Sequence, residues 1–334
     1  MALAILEPRL KQLLQNDTAI IVPGTQGPGP LDPSAPFDGS PLRYDPLRKC
    51  YERIAGVTTI GKDGRRAEAF WPNGFREVGL MIRRLSAADR DGNRFQICGF
   101  TRVHPEWIVT ALHCVARGSG PVTILHDLTP GNAIFLLSRE NQTQFALSSC
   151  FPDPRRPECP FDHATPHGVP SFPGLPQWQD GIPDEDLAIL RIRATPGTPI
   201  TAPLAWQDPP PTSVVTVAGH GASNVADYSA WKGLQVGWHT AAIAEGRTIR
   251  IQTTRGLPES GICAGDSGSP VFAGRFSGLR PESRPLLSVV SAVEIRGRTP
   301  TGETCQNAVG RATLLSRHKA WLCEATGKVL GGCR

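Results

Sequence analysis

Apolar positions along the chain fall in short runs, not at helical spacing. Beyond about Val57 these runs are strand-sized: 77–84, 107–112, 122–128, 133–139, 187–193, 214–219, 234–240, 248–254, 270–274 and 286–295. Each is rich in Val, Ile, Leu, Phe or Thr and is bounded by Gly, Pro, Asp or Asn. The segment 89–94 (DRDGNR) is a strong turn signal between two of them. Helical spacing occurs at both ends only. Leu3, Leu6, Leu10, Leu13 and Leu14 mark a short amphipathic segment, and 314–325 (LLSRHKAWLCEA) predicts a closing helix. Two proline-rich stretches interrupt the series. Residues 21–47 hold seven prolines and read as a linker or extended arm. Residues 151–183 hold nine and read as a long surface loop. A stiff DPPPT connector at 208–212 splits the strands into two sets. There is no internal repeat. The pattern predicts an all-β chain of two six-stranded antiparallel barrels with a C-terminal helix. The expected divisions are an arm or pro-segment over 1–56, a first barrel over 57–207 and a second over 208–334.

Composition sharpens this picture. The 334 residues include 35 glycines and 32 prolines, about a fifth of the chain, against roughly 12% in average usage. That excess excludes a helical bundle. With 40% hydrophobic and 19% charged residues the chain is too apolar for disorder. A net charge of +5, without a basic block, gives no reason to expect a nucleic-acid partner. No apolar run approaches the ~18 residues of a membrane span. Nine cysteines lack the spacing of a zinc ribbon and read as a disulfide set, which implies an oxidising compartment, secreted or periplasmic. The first residues do not read as a usual secretory signal, since Glu7, Pro8, Arg9 and Lys11 interrupt the apolar run.

Three segments carry candidate chemistry: Thr110–Cys114 (TALHC), Asp186–Leu190 (DLAIL) and Gly265–Pro270 (GDSGSP). A serine hydroxyl needs a base to become a nucleophile, and histidine titrates in the useful range. A buried carboxylate can fix the imidazole tautomer. His113, Asp186 and Ser267 are the candidates for these roles. Glycine beside the serine lets backbone N–H groups aim at a developing oxyanion, which points to Gly265 and Ser267 as the donors. A metal site at Asp162, His163 and His167 would need a helix, and Pro166 and Pro170 argue against one. Neither metal nor cofactor is expected.

These three segments, in this order, resemble the signatures of the chymotrypsin/trypsin-like serine proteases, over roughly 57–325. The order differs from that of subtilisins, and the G-x-S-x-G elbow of α/β-hydrolases fails at Ser269. The resemblance implies an endopeptidase acting on proteins or peptides through an acyl-enzyme, working as a monomer. It implies disulfides Cys98–Cys114 and Cys263–Cys305, and a hydrogen bond from Ser291 to Asp186. Cys150–Cys159 and Cys323–Cys333 are paired by proximity, leaving Cys50 over. The pocket would be formed by Gly261, Val293 and Ala308. Gly261 in place of an acid excludes tryptic specificity, and Val293 narrows the pocket towards small aliphatic residues. The alternative is a protease fold that binds without catalysing.

Relatives bury a newly cut amine against the aspartate before the serine, here Asp266. Arg53–Gly56 superficially resembles such a cut site. Thr59–Asp63 resembles the mature start of bacterial glutamyl endopeptidases, although the wall position that selects glutamate is Val290 here. Otherwise 1–56 is an arm that needs no cleavage.

Overall fold

The computed structural model describes residues 75–84, 95–129, 132–138, 161–194, 200–221, 235–243, 246–253, 262–263, 265–274, 284–294, 297–299, 302–304 and 308–333. The 1–56 arm, both candidate cut sites, Cys50, Cys150, Cys159, Gly261 and Cys305 lie outside the described residues.

From Phe75 the chain forms β1 (Val78–Arg84), β2 (Phe95–His104) and β3 (Trp107–Thr110), then one turn of helix, α1 (Leu112–Val115). A hairpin of β4 (Ala116–Ser119) and β5 (Val122–Leu125) precedes β6 (Ala133–Ser138) and β7 (Phe161–Pro166). A second small hairpin, β8 (Trp178–Gln179) and β9 (Ile182–Pro183), leads to β10 (Ala188–Ala194). Strands β1-β2-β3-β10-β7-β6 close into an antiparallel barrel. The second half forms β11 (Ser213–Gly219), β12 (Gln235–Ile243), β13 (Thr248–Thr253), β14 (Pro270–Ala273) and β15 (Leu286–Glu294). The hairpin β16 (Gly297–Thr299) and β17 (Gly302–Thr304) and the strand β18 (Val309–Leu314) follow. Strands β11-β12-β13-β18-β15-β14 close the second barrel. A 3-10 turn at Ser316–His318 runs into the closing helix α2 (Lys319–Ala325). The fold class expected from the sequence is met.

Burial explains the strands. In β10 the buried Leu190 and Ile192 alternate with exposed Arg191 and Arg193, so one face enters the core and the other meets water. Phe100 and Phe135 meet inside the first barrel with ring centroids 5.8 Å apart. Val215, Val217, Ile249, Ile251, Val271 and Leu314 fill the second. Each such side chain contributes roughly 1.5–3 kcal/mol of burial.

The structure corrects three details. The 151–183 stretch is not a loop throughout: β7 pairs with β6 from Phe135↔Ala164 to Ser138↔Phe161, and with β10. Pro166 ends β7, where proline's missing donor is tolerated. His163 lies in β7 and His167 just past it, so the helix needed for the metal site does not form. The 122–128 segment does not join a barrel, because β5 pairs with β4 and exposes Val122 and Ile124. Leu314 belongs to β18, opposite Ser288, so the closing helix begins at Lys319.

The segment between β10 and β11, ahead of the 208–212 connector, is bonded to both barrels. Ala202 N–H donates to Arg102 O at 2.8 Å, and Leu286 N–H donates to Pro203 O at 2.7 Å. The chain end is tied back by Trp206 Nε1–H, which donates to Gly331 O, and by the disulfide Cys323–Cys333.

Candidate active site

The site lies where the two barrels meet. β3 ends at Thr110, and the chain turns into α1, all four of whose residues are buried. This places His113 beside Asp186, which stands just before β10. The His113 backbone N–H donates to Asp186 Oδ1 at 2.9 Å. Its ring Nδ1 lies 2.7 Å from Asp186 Oδ2. With the carboxylate accepting, Nδ1 carries the proton and Nε2 is left as a lone-pair base. Ser291 Oγ–H donates to the same Oδ2 at 2.6 Å. Ser291 sits in a bulge of β15, where the pairing with β18 shifts between Val290 and Ala292. A bulge re-aims a side chain, and this one turns the hydroxyl across the barrel interface. Asp186 is fully buried, and these three donors offset the cost of enclosing its charge.

Ser267 stands in the tight loop leading into β14. Gly268 adopts φ +80°, and a Cβ there would meet Gly99 O at 2.2 Å, so only glycine fits. The loop is pinned to both barrels: Gly99 N–H donates to Ser267 O at 2.7 Å, and Gly268 N–H donates to Val290 O at 2.7 Å. Thr110 Oγ1 donates to Gly99 O at 2.7 Å. Beside Gly99, Cys98 is bonded to Cys114, the neighbour of His113. One short path of bonds therefore joins the Ser267 peptide to the His113 turn.

The N–H groups of this loop divide in two. Those of Asp266, Gly268 and Ser269 are donated to Cys263 O, Val290 O and Asp266 O. Those of Gly265 and Ser267 are given to no acceptor among the described residues. Gly265 holds φ +91°. Within the same set, no hydrogen bond joins Ser267 Oγ to His113 Nε2, as is common before substrate binds.

Asp266 is buried completely, and burial raises its carboxyl to about 7. Gly221 N–H donates to its Oδ1 at 2.8 Å and Cys263 N–H to its Oδ2 at 2.9 Å. A Cβ on Gly221 would lie 2.4 Å from this carboxylate. The neighbouring His220 is held neutral, its pKa pushed down to about 3 by burial. The sequence pointed to an amine opposite Asp266, whereas the structure meets both oxygens with backbone donors. Gly221 and Gly99 went unnoticed in the sequence, since their roles depend on contacts remote along the chain.

Of the pocket residues, Val293 is half-buried against the second barrel's core and pairs with Gly310, and Ala308 is buried. Cys263 is disulfide-bonded, and its expected partner Cys305 lies outside the described residues. The cluster Cys98, His113 and Cys114 has its ligand atoms close together, but both sulfurs are held in the disulfide.

The trypsin family model matches residues 83–304, well over half of the chain. That span takes in α1 with His113, Asp186 and the Ser267 loop. No described helix is long and apolar enough to cross a membrane. The chain belongs to the trypsin family of serine-type peptidases.

Proposed function

We propose that the chain is a serine endopeptidase in which Ser267 is the nucleophile, His113 the general base and Asp186 the group that orients it. The observation that carries this reading is the hydrogen-bond chain at Asp186. The carboxylate accepts from the His113 backbone N–H, from His113 Nδ1–H and from Ser291, which leaves the Nε2 lone pair for a proton from Ser267. Ser267 Oγ would attack the scissile carbonyl carbon while its proton passes to Nε2. The oxyanion would be received by the N–H groups of Gly265 and Ser267, which no acceptor among the described residues takes up. The proton then moves to the departing amine, leaving an acyl-enzyme. Water, deprotonated by His113, releases the acid and restores the serine.

The pocket reading extends this proposal to small aliphatic residues before the cut bond, because Val293 offers a branched side chain where glycine would leave depth. The disulfides Cys98–Cys114 and Cys323–Cys333 support work in an oxidising compartment. Hydrolysis of a randomised peptide library tests both parts. Cleavage after Ala or Val is expected. Cleavage only after Arg or Lys would refute the pocket. Peptide binding without cleavage would favour the non-catalytic alternative.

A further inference from the structure

A buried ion pair lies away from the triad, where the turn leading into β1 meets the second barrel. Arg284 and Glu77 are both 0% exposed. Arg284 Nε–H donates to Glu77 Oε1 at 3.0 Å, and its Nη2–H donates to Glu77 Oε2 at 2.9 Å. The guanidinium lies 4.2 Å from the centroid of Phe75 and 5.9 Å from that of Phe272, the two rings being 5.8 Å apart. Phe75 and Glu77 precede the first strand of one barrel. Phe272 lies in β14, which begins just after the Ser267 loop, and Arg284 lies just before β15, which carries Ser291.

Neighbouring backbone contacts point the same way. Glu77 O accepts from Arg102 N–H at 2.8 Å, and Arg102 O accepts from Ala202 N–H in the segment between the barrels. Pro203, next along that segment, accepts from the N–H of Leu286, close after Arg284. The junction thus touches β14, which follows the Ser267 loop, β15, which carries Ser291, and through Arg102 the strand pair β2–β3, which runs into the His113 turn. A planar bidentate pair has one geometry, whereas packed apolar side chains slide. Such a pair supplies register more readily than net stability, because desolvation offsets its attraction.

We propose that Glu77 and Arg284 are positioning residues: they lock the docking of the two barrels and thereby set Ser267 against His113. This rests on the triad reading above. The test replaces the pair as a whole, with Glu77→Leu and Arg284→Met in one chain, since removing one partner alone would strand a buried charge and confuse folding with positioning. The melting temperature, kcat and KM for a cleaved peptide, and hydrogen exchange at the Gly99 and Gly268 amides are compared with wild type. The expected result is a melting temperature within a few degrees of wild type, KM unchanged, kcat at least tenfold lower, and faster exchange at both amides. A double variant with wild-type kcat and exchange overturns the proposal. If the double variant does not fold, Arg284→Lys serves instead: it keeps the charge and loses the fork, and wild-type turnover and exchange there would equally overturn it. Exchange needs no catalysis, so wild type that cleaves nothing defeats the triad reading while the amides still report on the lock.

Discussion

At the scale of single residues, the site depends on a few buried polar groups, Asp186 and Asp266 foremost, each held by named donors. Ser267→Ala should lower turnover by several orders of magnitude, and His113→Ala should match it, because nucleophile and base act as a unit. Steady-state kinetics on a good peptide check this, with folding verified by circular dichroism. Asp266 makes a different prediction, about pH. Burial raises its carboxyl from 3.8 in the unfolded chain to about 7. The folded state therefore keeps a proton that the unfolded state gives up. This group's contribution is fully present below about pH 4 and is lost as pH rises to about 7. At about 1.4 kcal/mol per pH unit, the loss is on the order of 4 kcal/mol. Asp266→Asn should remove that slope. Denaturant unfolding of both proteins at pH 4, 5.5 and 7 reads the difference, since His220, His126 and His318, whose burial lowers their pKa values, contribute alike to each.

At the scale of elements, the Ser267 loop and the His113 turn are held by backbone geometry that tolerates little change. Gly268→Ala would place a methyl group 2.2 Å from Gly99 O at a positive φ. A loss of roughly 2–4 kcal/mol is expected, with a larger proportional loss of activity. Urea unfolding and peptide hydrolysis check the two parts. Replacing Cys98 and Cys114 together by serine should cost roughly 3 kcal/mol, given their separation of 16 residues. It should also harm turnover more than replacing Cys323 and Cys333, which fasten only the chain end. Strands such as β10 and β11 were legible because their burial alternates or runs locally. β7 was not, since the proline-rich stretch around it disguises a strand made by pairing with β6 and β10. Nor was the β15 bulge, which exists only in register with β18. The three motif segments were legible because each packs its chemistry into five or six consecutive residues.

At the scale of the whole molecule, the two barrels were readable from the strand count and the proline connector, but their junction was not. Glu77 and Arg284 lie 207 residues apart, and nothing local marks either as buried. Gly221 and Asp266 are likewise joined only by the fold. That contact bears on activation. Both Asp266 oxygens already have backbone donors, from Gly221 and Cys263. The uncut chain is expected to be active, and N-terminal sequencing of the most active species checks this. A chain active only after cleavage between Arg53 and Ile60 would show that the internal donors do not suffice.

The most direct measurement is covalent labelling of the intact, folded protein with a fluorophosphonate, followed by peptide mapping of the modified residue. One label per chain, on Ser267, is expected, with labelling abolished in His113→Ala and also in Ser267→Ala, where the other serines of the loop and β15, Ser269 and Ser291, remain in place. Absence of labelling on folded wild-type protein, or a label on any other residue, would contradict the assignment of Ser267 as the nucleophile.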